Sequence, residues 1–147
     1  MSSPFPSAEL PRYALECTVD PGFVVDERFR IEHRASVGGT AKIYRATDLT
    51  DGAAIALKIL YGEVADDQAE RLEREAELLA ELSHPGIVRH VAHGDLGTGA
   101  SYLAMEWVEG ETLSQRLTRV GLTMRESIDL VKRVAETLGY AHTRGVV

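Results

Sequence analysis

The sequence predicts an α+β fold, and three observations carry that expectation. Three strand-like runs follow one another between residues 28 and 60. One amphipathic helix stands alone after them. A second pair of strands then precedes two C-terminal helices. Antiparallel strands with helices inserted late are the signature of that class.

The elements follow in order. Residues 1–22 hold four of the five prolines and several serines, and read as an extension or linker; the first segment boundary is placed at 1–27. In residues 28–34, Phe29 and Ile31 alternate with Arg30, Glu32 and Arg34, the period of a half-buried strand. Residues 36–41 are a small-residue turn, and 42–47 a second strand. Asp48-Leu49-Thr50-Asp51-Gly52 is turn chemistry, with Gly52 able to take positive φ. Residues 53–60 are apolar on both faces, as suits a central strand. Residues 66–82 form the clearest helix. Asp67 as N-cap with Glu70 three residues on resembles a capping box. Leu72, Ala76, Leu79 and Leu82 make one stripe at helical spacing, and Glu75 interrupts it. Pro85 disfavours helical backbone at His84 and stops the helix. Residues 87–94 and 101–106 read as a hairpin joined by Asp95-Leu96-Gly97-Thr98-Gly99. A short helix spans 112–117. Thr123 and Glu126 form a capping box for a long helix carrying Ile128, Val131, Ala135, Leu138 and His142 on one side, with Gly145 at its end.

Composition narrows the function. A chain of 147 residues, 44% hydrophobic, can bury a core and is not compositionally disordered. A net charge of −7 argues against nonspecific nucleic-acid binding and against a polybasic membrane contact. The single cysteine, Cys17, precludes an internal disulfide and suits a reducing cytoplasm. No apolar run approaches the roughly 18 residues of a membrane span. The N-terminus lacks the basic-then-apolar pattern of a secretion signal, so a cytoplasmic location is expected. His90 and His93 have a metal-like spacing without a further ligand cluster, so no metal site is expected.

Two residues are out of place and explain each other. Lys58 ends the apolar run Ile55-Ala56-Leu57, and Glu75 sits inside the apolar stripe of the next helix. An unpaired buried charge costs several kcal/mol, roughly, so either residue alone is best placed at an edge where it reaches water. Together they have opposite charge on adjacent elements, which points to an ion pair. One hairpin earlier, Ser36-Val37-Gly38-Gly39-Thr40-Ala41 is small enough for backbone N–H groups to approach an anion. Turn and lysine could bracket one polyphosphate.

From residue 28 to 147 the chain resembles the first half of a bacterial serine/threonine protein kinase of the eukaryotic-like type. The family's glycine-rich loop, G-x-G-x-x-G-x-V, corresponds to Ser36-Val37-Gly38-Gly39-Thr40-Ala41-Lys42-Ile43, and its A-x-K to Ala56-Leu57-Lys58. Arg74-Glu75-Ala76 matches the glutamate of helix αC, and Ser83-His84-Pro85-Gly86-Ile87-Val88 the turn after it. Tyr102 through Gly110 resembles gatekeeper and hinge, and Ala141 through Val147 the end of helix αE. The resemblance implies a small lobe at 28–108, with a five-stranded antiparallel sheet plus αC, and the start of the large lobe at 109–147. It implies that Lys58 holds the α- and β-phosphates of ATP and pairs with Glu75. It implies that Gly38 and Gly39 cover the phosphates, and that Ala56 with Val37 or Ile43 sandwiches adenine. Met105 would bound the back of the pocket, and the Glu106 carbonyl and Val108 backbone would hydrogen-bond adenine. Ser36 and Ala41 depart from the family's first and third glycines. Ser36 restricts φ where glycine does not.

The family's H-R-D-x-x-x-x-N and D-F-G are absent from the sequence, and with them the groups that hold Mg²⁺ and accept the substrate proton. The expectation is therefore an ATP-binding portion of a kinase that transfers no phosphate by itself. The protein substrate would belong to the complete kinase. The chain is read as part of a longer kinase; a natural truncation is the alternative. A second reading is a non-catalytic module that docks on another protein through the αC face or the apolar side of the last helix.

Overall fold

The computed structural model describes residues 19–37, 41–60, 66–96 and 100–146. Strands β1 (Val24–Val25), β2 (Phe29–Val37), β3 (Ala41–Asp48), β4 (Ala54–Leu60), β5 (His90–Asp95) and β6 (Ser101–Glu106) form one antiparallel sheet in the order β1-β2-β3-β4-β6-β5. Helix α1 (Asp66–Glu81) lies between β4 and β5 in the chain, and α2 (Leu113–Arg119) and α3 (Met124–Thr143) follow the sheet. The fold is α+β, as expected. The sheet has six strands among the described residues rather than five. Val24 and Val25 pair with Arg30 and Phe29, and two residues are too few to display a period.

Register sorts the side chains onto two faces. Tyr44, Ala46, Ile55, Leu57, Ile59, Tyr102 and Ala104 are buried on one face. The other face carries Ile43 opposite Lys58, Ala56 opposite Met105, and Lys58 opposite Leu103. The first face closes on itself. Phe29 on β2 and Tyr102 on β6 are three strands apart, about 14 Å in a flat sheet. Their rings meet edge-on with centroids 5.7 Å apart, so the sheet must curl around its own side chains. The second face is only partly covered. Leu72 and Ala76 of α1 pack on Leu60 and Leu103, with Ala41, Leu79 and Met105 alongside.

Some boundaries differ from the sequence reading. Helix α1 begins at Asp66, so Asp67 lies in its first turn and is not the N-cap. Both aspartates suit the positive end of the helix dipole, so spacing could not choose between them. Strand β5 begins only at His90, because the preceding turn continues: Ile87 N–H donates to the His84 carbonyl at 2.9 Å. Helix α2 has Thr112 as its N-cap, in a capping box with Gln115. The box at Thr123 and Glu126 opens α3 as expected. Gly145, at φ +79°, donates to His142, and Val146 donates to Ala141, a Schellman end.

Helix α3 docks on the 83–86 turn. The Tyr140 hydroxyl accepts from Ser83 N–H at 3.1 Å, and the Tyr140 and His84 rings lie 4.9 Å apart. A Cβ at Gly86 would stand 2.3 Å from the Thr137 hydroxyl oxygen, so any side chain there would force Thr137 to shift. Among the described residues no helix is long and apolar enough to cross a membrane.

Asp48 is a buried anion at the end of β3, 2% exposed. Arg28 donates to it through Nε at 3.0 Å and Nη2 at 2.7 Å, and Thr50 adds its N–H and hydroxyl. The Asp48 N–H donates to Ala53 while its carbonyl accepts from Gly52, closing the turn at 2.8 Å each. The Arg28 guanidinium first, then Thr50, holds the Asp48 carboxyl well below the usual range despite burial. A depressed folded pKa gives stability that is present above the unfolded value of about 4 and is lost as pH falls through the folded one. Asp48→Asn should therefore cost about 2 kcal/mol at pH 7. The gap to the parent should narrow steadily below about pH 4. Urea denaturation across pH checks this; a gap independent of pH would refute the assignment.

Candidate functional site

Lys58 reaches its position through the alternation of β4. Ile55, Leu57 and Ile59 are buried in the closed core, so Ala56, Lys58 and Leu60 face the opposite way. The strand lies between β3 and β6, so Ile43 and Leu103 flank the lysine stem. Glu75 reaches the same place from α1. It lies three residues after Leu72 and one before Ala76, and both of these are buried. Lys58 Nζ donates to Glu75 Oε2 at 2.7 Å and to Oε1 at 3.0 Å. The Lys58 side chain is 24% exposed and that of Glu75 44%. Both charges therefore keep contact with water. The desolvation that the sequence pattern suggested is only partial, because α1 covers one end of the face and leaves the lysine at its border.

The remaining candidates divide by element. Ile43, Ala56 and Met105 lie half-buried on the same face as Lys58, and Met105 also packs against the α1 cluster. Beyond β6 the chain leaves the sheet. Glu106 donates its N–H to the Arg89 carbonyl at 2.9 Å, and its Oε1 accepts from Arg89 N–H at 2.9 Å. Trp107 N–H donates to the Ala54 carbonyl at 3.3 Å. Val108 is exposed. Val37 ends β2 opposite Lys42, next to Ile43 on β3. Its side chain and the Gly38-Gly39 turn lie outside the described residues.

One residue on this face was not singled out from the sequence. Arg45 stands two positions after Ile43 and opposite Ala56, so the strand period alone places it beside the site. It ion-pairs with Glu32 and lies 5.6 Å from the Trp107 ring centroid. The Thr47 hydroxyl, then burial opposing it, then Arg45, set the Glu32 carboxyl, with a net shift below its ordinary value. His90 and His93 hydrogen-bond to each other at 3.0 Å. Burial, then the His93 charge, lowers the pKa of His90. Among the described residues no group of three or more histidine, cysteine, aspartate or glutamate side chains is placed to hold a metal ion. A cavity of about 400 Å³ lies elsewhere, between Glu70, Leu72 and Glu73 of α1 and the β5–β6 hairpin. None of the candidate residues lines it.

Half-open pairs contribute little to stability, typically about 0–1 kcal/mol, because water screens them and two long side chains lose freedom. Glu75→Ala should thus lower unfolding stability by less than about 1 kcal/mol. Leu72→Ala, one turn away and 3% exposed, should cost about 2–4 kcal/mol through the cavity it leaves. Paired urea titrations compare them. Equal losses would mean that Glu75 is a structural residue rather than one held ready for a ligand.

Comparisons with known proteins agree with this fold. The family described as protein kinase domain matches residues 29–147. Serine/threonine-protein kinase pkn2 of Myxococcus xanthus is 35% identical over 126 residues, covering 84% of this chain and 15% of that protein. Serine/threonine-protein kinase PknA of Mycobacterium tuberculosis is 34% identical over 133 residues, covering 86% of this chain and 31% of that protein. The crystal structure of the M. tuberculosis PknI kinase domain superposes with a TM-score of 0.75 at 26% identity, over 87% of this chain and 52% of that domain. The chain thus spans about half of that solved domain and under a third of these curated relatives. With the family's pattern matched over residues 29–147 and its sheet and helices in place, this chain belongs to the protein kinase family.

Proposed function

We propose that the face bearing Lys58 binds ATP, and that this chain is the nucleotide-binding portion of a serine/threonine protein kinase. The supporting observation is the Lys58–Glu75 pair at 2.7 Å, set beside half-buried Ile43, Ala56 and Met105. An ammonium has three N–H donors. Glu75 engages it from the α1 side, which orients the amine and leaves donor capacity for phosphate oxygens. Small Ala56 leaves room for a flat ring, with Ile43 on the neighbouring strand. Met105 stands at the back, and the backbone of Glu106 and Val108 carries the hydrogen-bonding groups for adenine. Gly38 and Gly39 are assigned to the phosphates on the family pattern.

Magnesium is a different matter. The sequence has no H-R-D-x-x-x-x-N and no D-F-G, and the described residues offer no cation cage. The residues present do not fit the metal, so no step runs through it here. They hold and orient a nucleotide without the base and metal ligands that phosphoryl transfer needs. In the whole protein the substrate class would be serine and threonine side chains, the activity that the relatives' names carry.

A partner-binding module is the second reading, and one observation favours it. Ile128, Val131, Val134 and Leu138 leave an apolar stripe of α3 exposed. Calorimetric titration with ATP separates the two. Lys58→Ala should weaken ATP binding about tenfold or more, the loss of one charge-assisted contact, without transfer of phosphate to a generic protein by either chain. Equal ATP affinity in parent and variant would remove the nucleotide reading in favour of the docking module. Phosphate transfer abolished by Lys58→Ala would refute the binding-only assignment.

A further inference from the structure

We propose that Arg45 is a positioning residue of the nucleotide site, fastening residues 107–109 to the sheet and so setting where Val108 presents its backbone. The proposal rests on the ATP reading above and extends it to a residue outside the family motifs quoted.

Register puts Arg45, Ala56 and Met105 in one row across β3, β4 and β6. Arg45 is therefore at the far end of the row from the strand that leads into residue 107. Its guanidinium is held from both sides. On the sheet side Nη1 pairs with Glu32, which sits at an irregularity in the β2–β3 ladder and is itself fixed by the Thr47 hydroxyl. On the other side the guanidinium lies over the Trp107 ring at 5.6 Å, and Nη2 is 3.8 Å from Glu109 Oε1.

Trp107 needs such a hold. Among the described residues its backbone is anchored by the Ala54 carbonyl at 3.3 Å. Its indole Nε1 is buried with no hydrogen-bond partner among the described residues. Burying an N–H unpaired opposes that placement. The cation on the ring face acts in the other direction. Arginine suits the task because a planar guanidinium can lie on an aromatic face while its edge N–H groups meet carboxylates. A lysine ammonium is a point charge and cannot do both at once. Glu106 is already held by the ladder and by Arg89, so the placement of Trp107 bears on Val108, the next residue.

The test uses a built-in reporter, since Trp107 is the chain's single tryptophan. Arg45→Met and Arg45→Lys are made in the 147-residue chain, and ATP affinity, Trp107 emission and urea midpoint are measured. The expected result for Arg45→Met is a red-shifted emission and an ATP Kd raised about fivefold, with Arg45→Lys recovering only part of the loss. Glu109→Gln, at a side chain 81% exposed, should leave the fold intact and raise Kd in the same direction by about twofold. Unchanged ATP affinity in Arg45→Met and Glu109→Gln overturns the proposal. So does a loss matched by Arg45→Lys and by a proportional fall in urea midpoint, which marks a merely structural residue. A parent chain that fails to bind ATP overturns the nucleotide reading and the positioning role with it, whereas a parent that binds while the variants bind equally well removes the role of Arg45 alone.

Discussion

The placement of Lys58 and its neighbours depends on the register of β4. Its odd residues, Ile55, Leu57 and Ile59, enter the closed core, and its even residues, Ala56, Lys58 and Leu60, face outward. A slip of one residue would drive Lys58 into that core and turn Leu57 out to α1. The slip is prohibited from both sides, because β4 is paired along its length to β3 and to β6. The curl of the sheet then makes the two faces unlike. One wraps a buried apolar interior in which Phe29 meets Tyr102, and the other stays open except where α1 lies.

That difference explains the electrostatics of the site. A lysine wholly within the core would lose its charge or demand a tightly matched partner. At the border of α1 its side chain keeps contact with water, and its amine hydrogen-bonds to Glu75. The helix supplies affinity for the sheet through Leu72 and Ala76, and the glutamate between them in the stripe is free of that task. Packing and ion pairing thus rest on different residues of one helical face.

Two other polar groups act as fasteners at the ends of the sheet. Asp48 ties Arg28, Thr50 and the β3–β4 turn together. Arg45 ties Glu32 to Trp107 and Glu109. The first is sealed by burial, the second is open to solvent on the side where the chain leaves the sheet. On the far side, Tyr140 and the close approach at Gly86 hold α3 to the turn after α1. This contact leaves the apolar stripe of α3 uncovered among the described residues, the surface on which the partner-binding reading rests.

The sequence by itself determined the element order, the central position of β4, the α1 stripe, the capping box at Thr123 and the Lys58–Glu75 pairing. All are local or depend on a period of two or 3.6, which a single chain displays openly. It could not display β1, because two residues have no period, nor the start of β5, because the 83–86 turn and Arg89 delay the ladder. Tertiary structure alone decided how far Lys58 is desolvated, since that depends on how much of the face α1 covers. It alone brought Arg45 to Trp107, 62 positions later in the chain, because contact across such a separation follows from sheet register and the path out of β6. Local pattern sets which way a side chain points; only the assembled sheet sets what it meets.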